Sequence, residues 1–231
     1  MVFQAEGLAL GQASEFKQFG EIGGVIVLCA MVFFGRLRDL LTGYRGAMDM
    51  SKIALIMIDW QQGFDDLAYW GNRNNPDAET NGAKLLTHWR KAGLPVIHVK
   101  HDSTAPQSRL HPSHAGNAIK DIVAPISGEL IYGKNVNSAF IGTTLEADLR
   151  AQGISKLVLC GITTDHCVNT TTRMAGNLGF DATIAADACA TFDRQLPDGR
   201  VFGADVVHDV ALASLNGEFS AVKTVAQIIA G

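Results

Sequence analysis

The sequence predicts an α/β fold, with helices on both sides of a six-stranded, mainly parallel sheet in three layers, α/β/α. Three observations lead there. Residues 53–58 and 156–160 are apolar almost throughout instead of alternating, which marks strands buried on both faces. Stretches with helical spacing alternate with such runs, and that alternation belongs to parallel sheets with helical crossovers. The chain has 231 residues, 47% apolar and 18% charged, enough to bury one sizeable core.

The elements follow in order. A first strand covers 53–58. A helix over 77–91 places Leu85, Leu86 and Trp89 on one side, and Gly93 stops it. A second strand covers 95–99. Residues 100–128, rich in Pro, Ser, His and Gly, read as a long loop. A short third strand covers 129–132. A helix over 144–152 ends at Gly153, and a fourth strand covers 156–160. The next helix starts near Asp165 and ends at Gly179. A fifth strand covers 181–186 and a helix covers 203–215. A short strand and a last helix follow Glu218. The expected strand order is 3-2-1-4-5-6, a Rossmann-like arrangement with the first and fourth strands adjacent at the switch point.

Open parallel sheets bind ligands beyond the carboxyl ends of their strands. Asp59 stands there after the first strand and Lys134 after the third. After the fourth comes Gly161-Ile-Thr-Thr-Asp-His-Cys167-Val, which turns into a helix. A carboxylate, an amine and a thiol thus share one rim. Any of the three alone has an ordinary explanation: a strand-end carboxylate, a solvated lysine, a buried structural thiol. Of the four cysteines, Cys29, Cys160 and Cys189 have no such setting; Cys160 and Cys189 read as small buried hydrophobes, whereas Cys167 lies in a polar, Thr-rich turn. A thiol is a weak nucleophile until it is deprotonated, and a helix N-terminus favours the thiolate. Asp59 can take the thiol proton, Lys134 can stabilise both anions, and the backbone N–H groups of Cys167 and Thr163 can form an oxyanion hole.

Three segments resemble the isochorismatase-like cysteine hydrolases: Ile-Met-Ile-Asp59-Trp-Gln-Gln-Gly-Phe64, Gly133-Lys134-Asn-Val-Asn-Ser-Ala-Phe140, and the Cys167 turn. The likeness runs from about Ser51 to the C-terminus and includes Asp187-Ala-Cys-Ala-Thr191 and the helix carrying His208 and Asp209. The resemblance implies a catalytic triad of Asp59, Lys134 and Cys167 and a cis peptide at Ile162–Thr163. The presence of Cys167 favours amide, ureido or carbamoyl C–N hydrolysis through an acyl-thioester, with Asp59 serving both halves of the reaction. A vinyl-ether hydrolase working without the thiol, and a binding module without chemistry, are the alternatives. Nicotinamidase is disfavoured, because 65–77 holds no histidine for a metal motif. Phe64, Asn137 and Phe140 are candidate substrate-binding residues, with Ser138 beside them.

No metal and no cofactor are expected. His98, His101, His111 and His114, with Asp102, suggest a metal site, but no fixed helix presents their rings together. Phosphate-loop and dinucleotide glycine motifs are missing from the sequence. The net charge of −4, with charges interspersed, argues against nucleic acid as a partner. The expected partner is a small-molecule substrate. A homo-oligomer is expected by family analogy. Widely spaced cysteines fit a reducing, cytoplasmic compartment. Residues 1–49 stand apart as an N-terminal extension ahead of a hydrolase domain over 50–231. Their apolar run over 22–35 is short for a spanning helix and is followed by Arg36 and Arg38. A mis-assigned start with Met48 or Met50 as initiator, a short membrane-associated or partner-binding helix, and a signal anchor are the readings for it.

Overall fold

The computed structural model describes residues 52–231; the 1–49 extension, with the readings offered for it, lies outside the described residues. Six strands form one parallel sheet: β1 (Lys52–Ile58), β2 (Val96–His101), β3 (Leu130–Lys134), β4 (Ile154–Ile162), β5 (Asp181–Ala190) and β8 (Ala221–Lys223). Their order is β3-β2-β1-β4-β5-β8. This is the expected 3-2-1-4-5-6, because β8 is the sixth strand of the sheet. The intervening β6 (Arg194–Gln195) and β7 (Val201–Phe202) pair only with each other, antiparallel. The sequence reading had no element there.

The helices are α1 (Leu67–Trp70), α2 (Ala78–Lys91), α3 (Leu145–Ala151), α4 (Asn169–Asn177), α5 (Ala204–Ala213) and α6 (Val225–Ala230). The chain steps from β1 to β2 in one direction across the sheet and from β4 to β5 in the other. Right-handed crossovers therefore put α2 on one face and α4 on the opposite one. α6 packs beside α2, and α5 packs against the turn that precedes α4. The central strands carry the core: Ala54, Leu55, Ile56 and Ile58 of β1 and Leu159, Cys160 and Ile162 of β4 are completely buried. That is the burial their unbroken apolar runs require. Among the described residues no helix is long and apolar enough to cross a membrane.

Four strands run further toward the carboxyl edge than the residue pattern suggested. β2 continues to His101, β3 to Lys134, β4 to Ile162 and β5 to Ala190. Apart from Ile162 the extra residues are polar, small or glycine, so propensity ends the strands early while ladder pairing across the sheet continues them. These added residues form the rim on which the candidate site lies.

Candidate active site

Strand register sets the site. Ile58, the last residue of β1, pairs with Val99 of β2 on one side and with Gly161 of β4 on the other. At the end of the next ladder His101 pairs with Lys134. Four chemically active side chains thus leave the sheet at adjacent points: Asp59, His101, Lys134 and, one turn after β4, Cys167.

The close approach of β1 and β4 depends on Gly161. It sits at φ 147°, and a Cβ there would run into the carbonyl oxygen of Ile58. Only glycine lets the two backbones meet at this level. Asp59 follows directly, at φ 53°. That left-handed conformation is tolerated by Asp better than by most residues, and it turns the carboxylate back over the end of the sheet. Asp59 N–H donates to the Val99 carbonyl (2.8 Å), and Gln61 N–H donates to the Asp59 carbonyl (2.8 Å), which pins the turn.

After β4 the Ile162–Thr163 peptide is cis, as the resemblance implied. Thr164–Val168 then forms a single π-helical turn, and α4 begins at Asn169. Cys167 lies within that turn. The turn is held from three sides. Thr163 O accepts from His166 and Val168 N–H, both at 3.2 Å. The hydroxyl of Thr164 and Nδ1 of His208 on α5 are 2.8 Å apart and buried. Asp165 accepts from Arg194 Nε at 2.7 Å, and the Thr191 hydroxyl also donates to it. Burial pushes the Asp165 carboxyl up, but its bonds to Thr191 and Arg194 outweigh that and hold it below its ordinary value. The Thr163 N–H, one of the two expected oxyanion donors, meets no backbone acceptor among the described residues.

The three expected chemical groups converge. Lys134 Nζ donates to Asp59 Oδ2 at 2.7 Å, and both side chains are fully buried. Asp59 Oδ1 is buried without a hydrogen-bond partner. An Asp59 oxygen, a His101 ring nitrogen and Cys167 Sγ all lie within 4.8 Å of one another. Burial, reinforced by the Asp59 charge, pushes the Cys167 thiol far above its ordinary value, and Lys134 only partly opposes this. The resting thiol is therefore protonated. This departs from the expectation that a helix N-terminus alone would lower it, because desolvation outweighs the partial charge of a short turn.

His101 is the residue that sequence reasoning missed at this place. Its Nδ1 is 3.2 Å from Lys134 Nζ and 3.9 Å from Cys167 Sγ. The signal existed: His101 ends β2 as Asp59 follows β1, but ending the strand at 99 left His101 in a loop. The other histidines do not join it. His98 is buried against Glu129 Oε2 (2.9 Å), His111 bonds the Ser113 hydroxyl, and His114 bonds the Pro106 carbonyl. Asp59, His101 and Cys167 have the donor types of a metal site. The Lys134 ammonium, bonded to two of them, already supplies the cation there, and like charge opposes a second one.

The expected substrate-binding residues divide. Asn137 is beside the thiol, which donates to its Oδ1 at 3.7 Å. Its loop is tied to α4 through Thr171, whose hydroxyl accepts from Ala139 N–H and donates to the Asn137 carbonyl. Phe64 is buried in an aromatic cluster with Trp70 and Phe192, and Phe140 stacks on Phe180. Those contacts are spent on packing. Phe64 also lines a cleft of about 610 Å³ with Arg73, Glu79 and Lys120, whose walls include neither Asp59, Lys134 nor Cys167.

Comparison with known proteins places the chain in a family. Residues 53–227 match the isochorismatase domain. An uncharacterised isochorismatase family protein of Bacillus subtilis is 47% identical over 178 residues, covering 77% of this chain and 95% of that one. The crystal structure of a hydrolase assigned to the isochorismatase family from Chromobacterium violaceum is 48% identical, with a TM-score of 0.75 over 79% of this chain and 94% of the other. The ureidoacrylate amidohydrolase of Stutzerimonas stutzeri is 30% identical over 176 residues, 62% of this chain and 71% of its own. With the family's domain matched over most of its length and its sheet order in agreement, the chain belongs to the isochorismatase family of hydrolases.

Proposed function

We propose that this protein is a cysteine-dependent hydrolase of small C–N substrates, amides or ureido or carbamoyl compounds, acting through an acyl-thioester. One observation carries the reading. Asp59 keeps one buried oxygen bonded to Lys134 and the other without a hydrogen-bond partner, and its carboxylate lies within 4.8 Å of the Cys167 sulfur. A buried, unpaired carboxylate oxygen is costly, and it is well placed to accept a proton.

In the first half, Asp59 Oδ1 takes the Cys167 proton as Sγ attacks the substrate carbonyl. Lys134 holds the carboxylate in place and offsets the negative charge that develops. The N–H groups of Thr163 and Cys167 receive the oxyanion. Asp59 then protonates the leaving nitrogen, which departs, and the acyl group remains on sulfur. Water releases the acid in the second half. Asn137, beside the thiol, is the substrate-orienting residue with the best geometric support. The amidohydrolase name of the Stutzerimonas stutzeri relative supports the choice of a C–N bond.

The test is release of ammonia or amine from a panel of small amides and ureido acids, with wild type and Cys167→Ala in parallel. Wild type should release product, and the variant should lose at least about 10³-fold while keeping its melting temperature. Equal release by the variant rules out the thioester. Activity of the variant on a vinyl ether would favour the alternative reaction.

A further inference from the structure

We propose that His101 is a further catalytic residue, whose Nδ1 carries a proton from the hydrolytic water to the Cys167 sulfur in the second half of the reaction; this rests on the thioester reading above.

The position is built with unusual investment in buried polar groups. Gln61, fully buried, clamps the His101 backbone on both sides: its Oε1 accepts from His101 N–H at 2.8 Å and its Nε2 donates to the His101 carbonyl at 3.0 Å. Nε2 also donates to the Asn117 carbonyl (2.9 Å), and Asn117 Nδ2 reaches the same His101 carbonyl at 3.2 Å. Such a frame fixes where the imidazole begins. The ring then stands with Nδ1 facing Lys134 and Cys167. Lys134 is a donor only, so Nδ1 presents its lone pair and the ring proton sits on Nε2.

Access separates His101 from Asp59. Asp59, Lys134 and Cys167 are 0%, 3% and 7% exposed, whereas His101 is only partly buried. Of the four side chains the imidazole is therefore the one most open to arriving water. The balance is complete. A water O–H bond breaks and its proton goes to Nδ1, which gives up the Lys134 N–H it accepts at rest, while the oxygen bonds to the thioester carbonyl carbon. The C–S bond then breaks with its electron pair on sulfur. The Nδ1 proton passes to Sγ, giving free acid and the resting thiol.

The charged and titratable groups facing the ring are Lys134 from β3, Asp59 beyond β1, Asp102 next along its own chain, and Cys167 from the π turn. Burial and the Lys134 charge hold the imidazole below its ordinary 6.5 despite the two carboxylates. It is therefore the free base at neutral pH, and as imidazolium it readily gives its proton up.

The experiment uses the full chain and p-nitrophenyl acetate as probe, with wild type, His101→Gln and Cys167→Ala. His101→Gln should release one p-nitrophenolate per enzyme in a burst and then turn over about 100-fold more slowly than wild type. Intact mass should show its acetyl group on Cys167, and hydroxylamine, a nucleophile that needs no base, should restore turnover. Wild-type deacylation should slow as pH falls through a value below 6.5. Steady-state turnover of His101→Gln equal to wild type, or loss of its burst in a variant that melts normally, overturns the proposal and leaves the thioester reading standing. A wild-type deacylation rate that falls nowhere below pH 6.5 while the protein stays folded overturns it whatever the variant does. Failure of wild type to acetylate, or identical behaviour of Cys167→Ala, overturns the thioester reading and this proposal together.

Discussion

Asp59 shows how much one side chain can be asked to do. It holds a left-handed φ, closes an ion pair with Lys134 in full burial, and keeps its other oxygen without a hydrogen-bond partner. Asp59→Asn should therefore act twice. It leaves the Lys134 ammonium buried with a neutral partner, at a cost of about 3–5 kcal/mol, read as a drop in the urea midpoint. It also removes the base, so kcat on any substrate found in the panel should fall by about 10³-fold or more. A variant as stable and as active as wild type would contradict both roles. Asp59, Lys134 and Cys167 were legible in the sequence because each follows a recognisable strand. His101 was not, because a ladder that continues through Lys100 and His101 has no apolar pattern to announce it. Phe64 and Phe140 were read as pocket walls from their spacing. Their rings pack against Phe192 and Phe180, contacts set by distant parts of the chain, and Phe64 also lines a cleft whose walls include none of the three expected groups.

Elements matter here chiefly where they end. Gly161 allows the carboxyl ends of β1 and β4 to touch, and Asp59 and Cys167 both hang from that contact. Gly161→Ala meets two obstacles, a collision with the Ile58 carbonyl and a φ of 147° that residues with side chains rarely adopt. The expected loss is about 3 kcal/mol or more, at the upper end of single substitutions. Activity should fall further than the unfolded fraction explains, because the displaced segment leads straight into Asp59. Denaturant melts and kcat measured on the same samples check this, and a variant with intact stability and rate would rule out the close contact. The π turn was read correctly as a helix start near Asp165, but not its supports. Thr164 finds His208, and Asp165 finds Arg194, over 44 and 29 residues of chain. The β6–β7 ribbon that begins at Arg194 has two residues per strand, too few for periodicity to register.

At the scale of the molecule, acid stability follows from carboxylates that only the fold pairs. Glu79 of α2 bonds Arg73 and Lys120, which joins the first helical crossover to the long loop. Burial raises its pKa, but the two cations overcome this and bring it down to about 2 from an ordinary 4.5. Glu129 is likewise brought to about 2 against burial by Arg90, with help from the Ile126 N–H and His98. A folded value below the unfolded one means stability fully present above the ordinary pKa and lost as pH falls toward the folded value. Urea midpoints should therefore hold above about pH 5 and drop between about pH 4.5 and 2, and Glu79→Gln should flatten part of that drop. A wild-type midpoint unchanged down to pH 2 would show that these pairs contribute nothing.

The sequence by itself determined the fold class, the order of the six main strands and the three residues offered as nucleophile, base and amine. All of these rest on local information: apolar runs of strand length, helical spacing, glycine stops, and motifs read at strand ends. Tertiary structure decided the rest. It extended four strands to the rim, moved His101 from loop to site, packed Phe64 and Phe140 against distant aromatic rings, and pushed the Cys167 thiol up by burial. The physical reason is common to all four. Strand ends, burial and desolvation are set by what lies across the sheet, and those neighbours are 30 to 130 residues away in the chain.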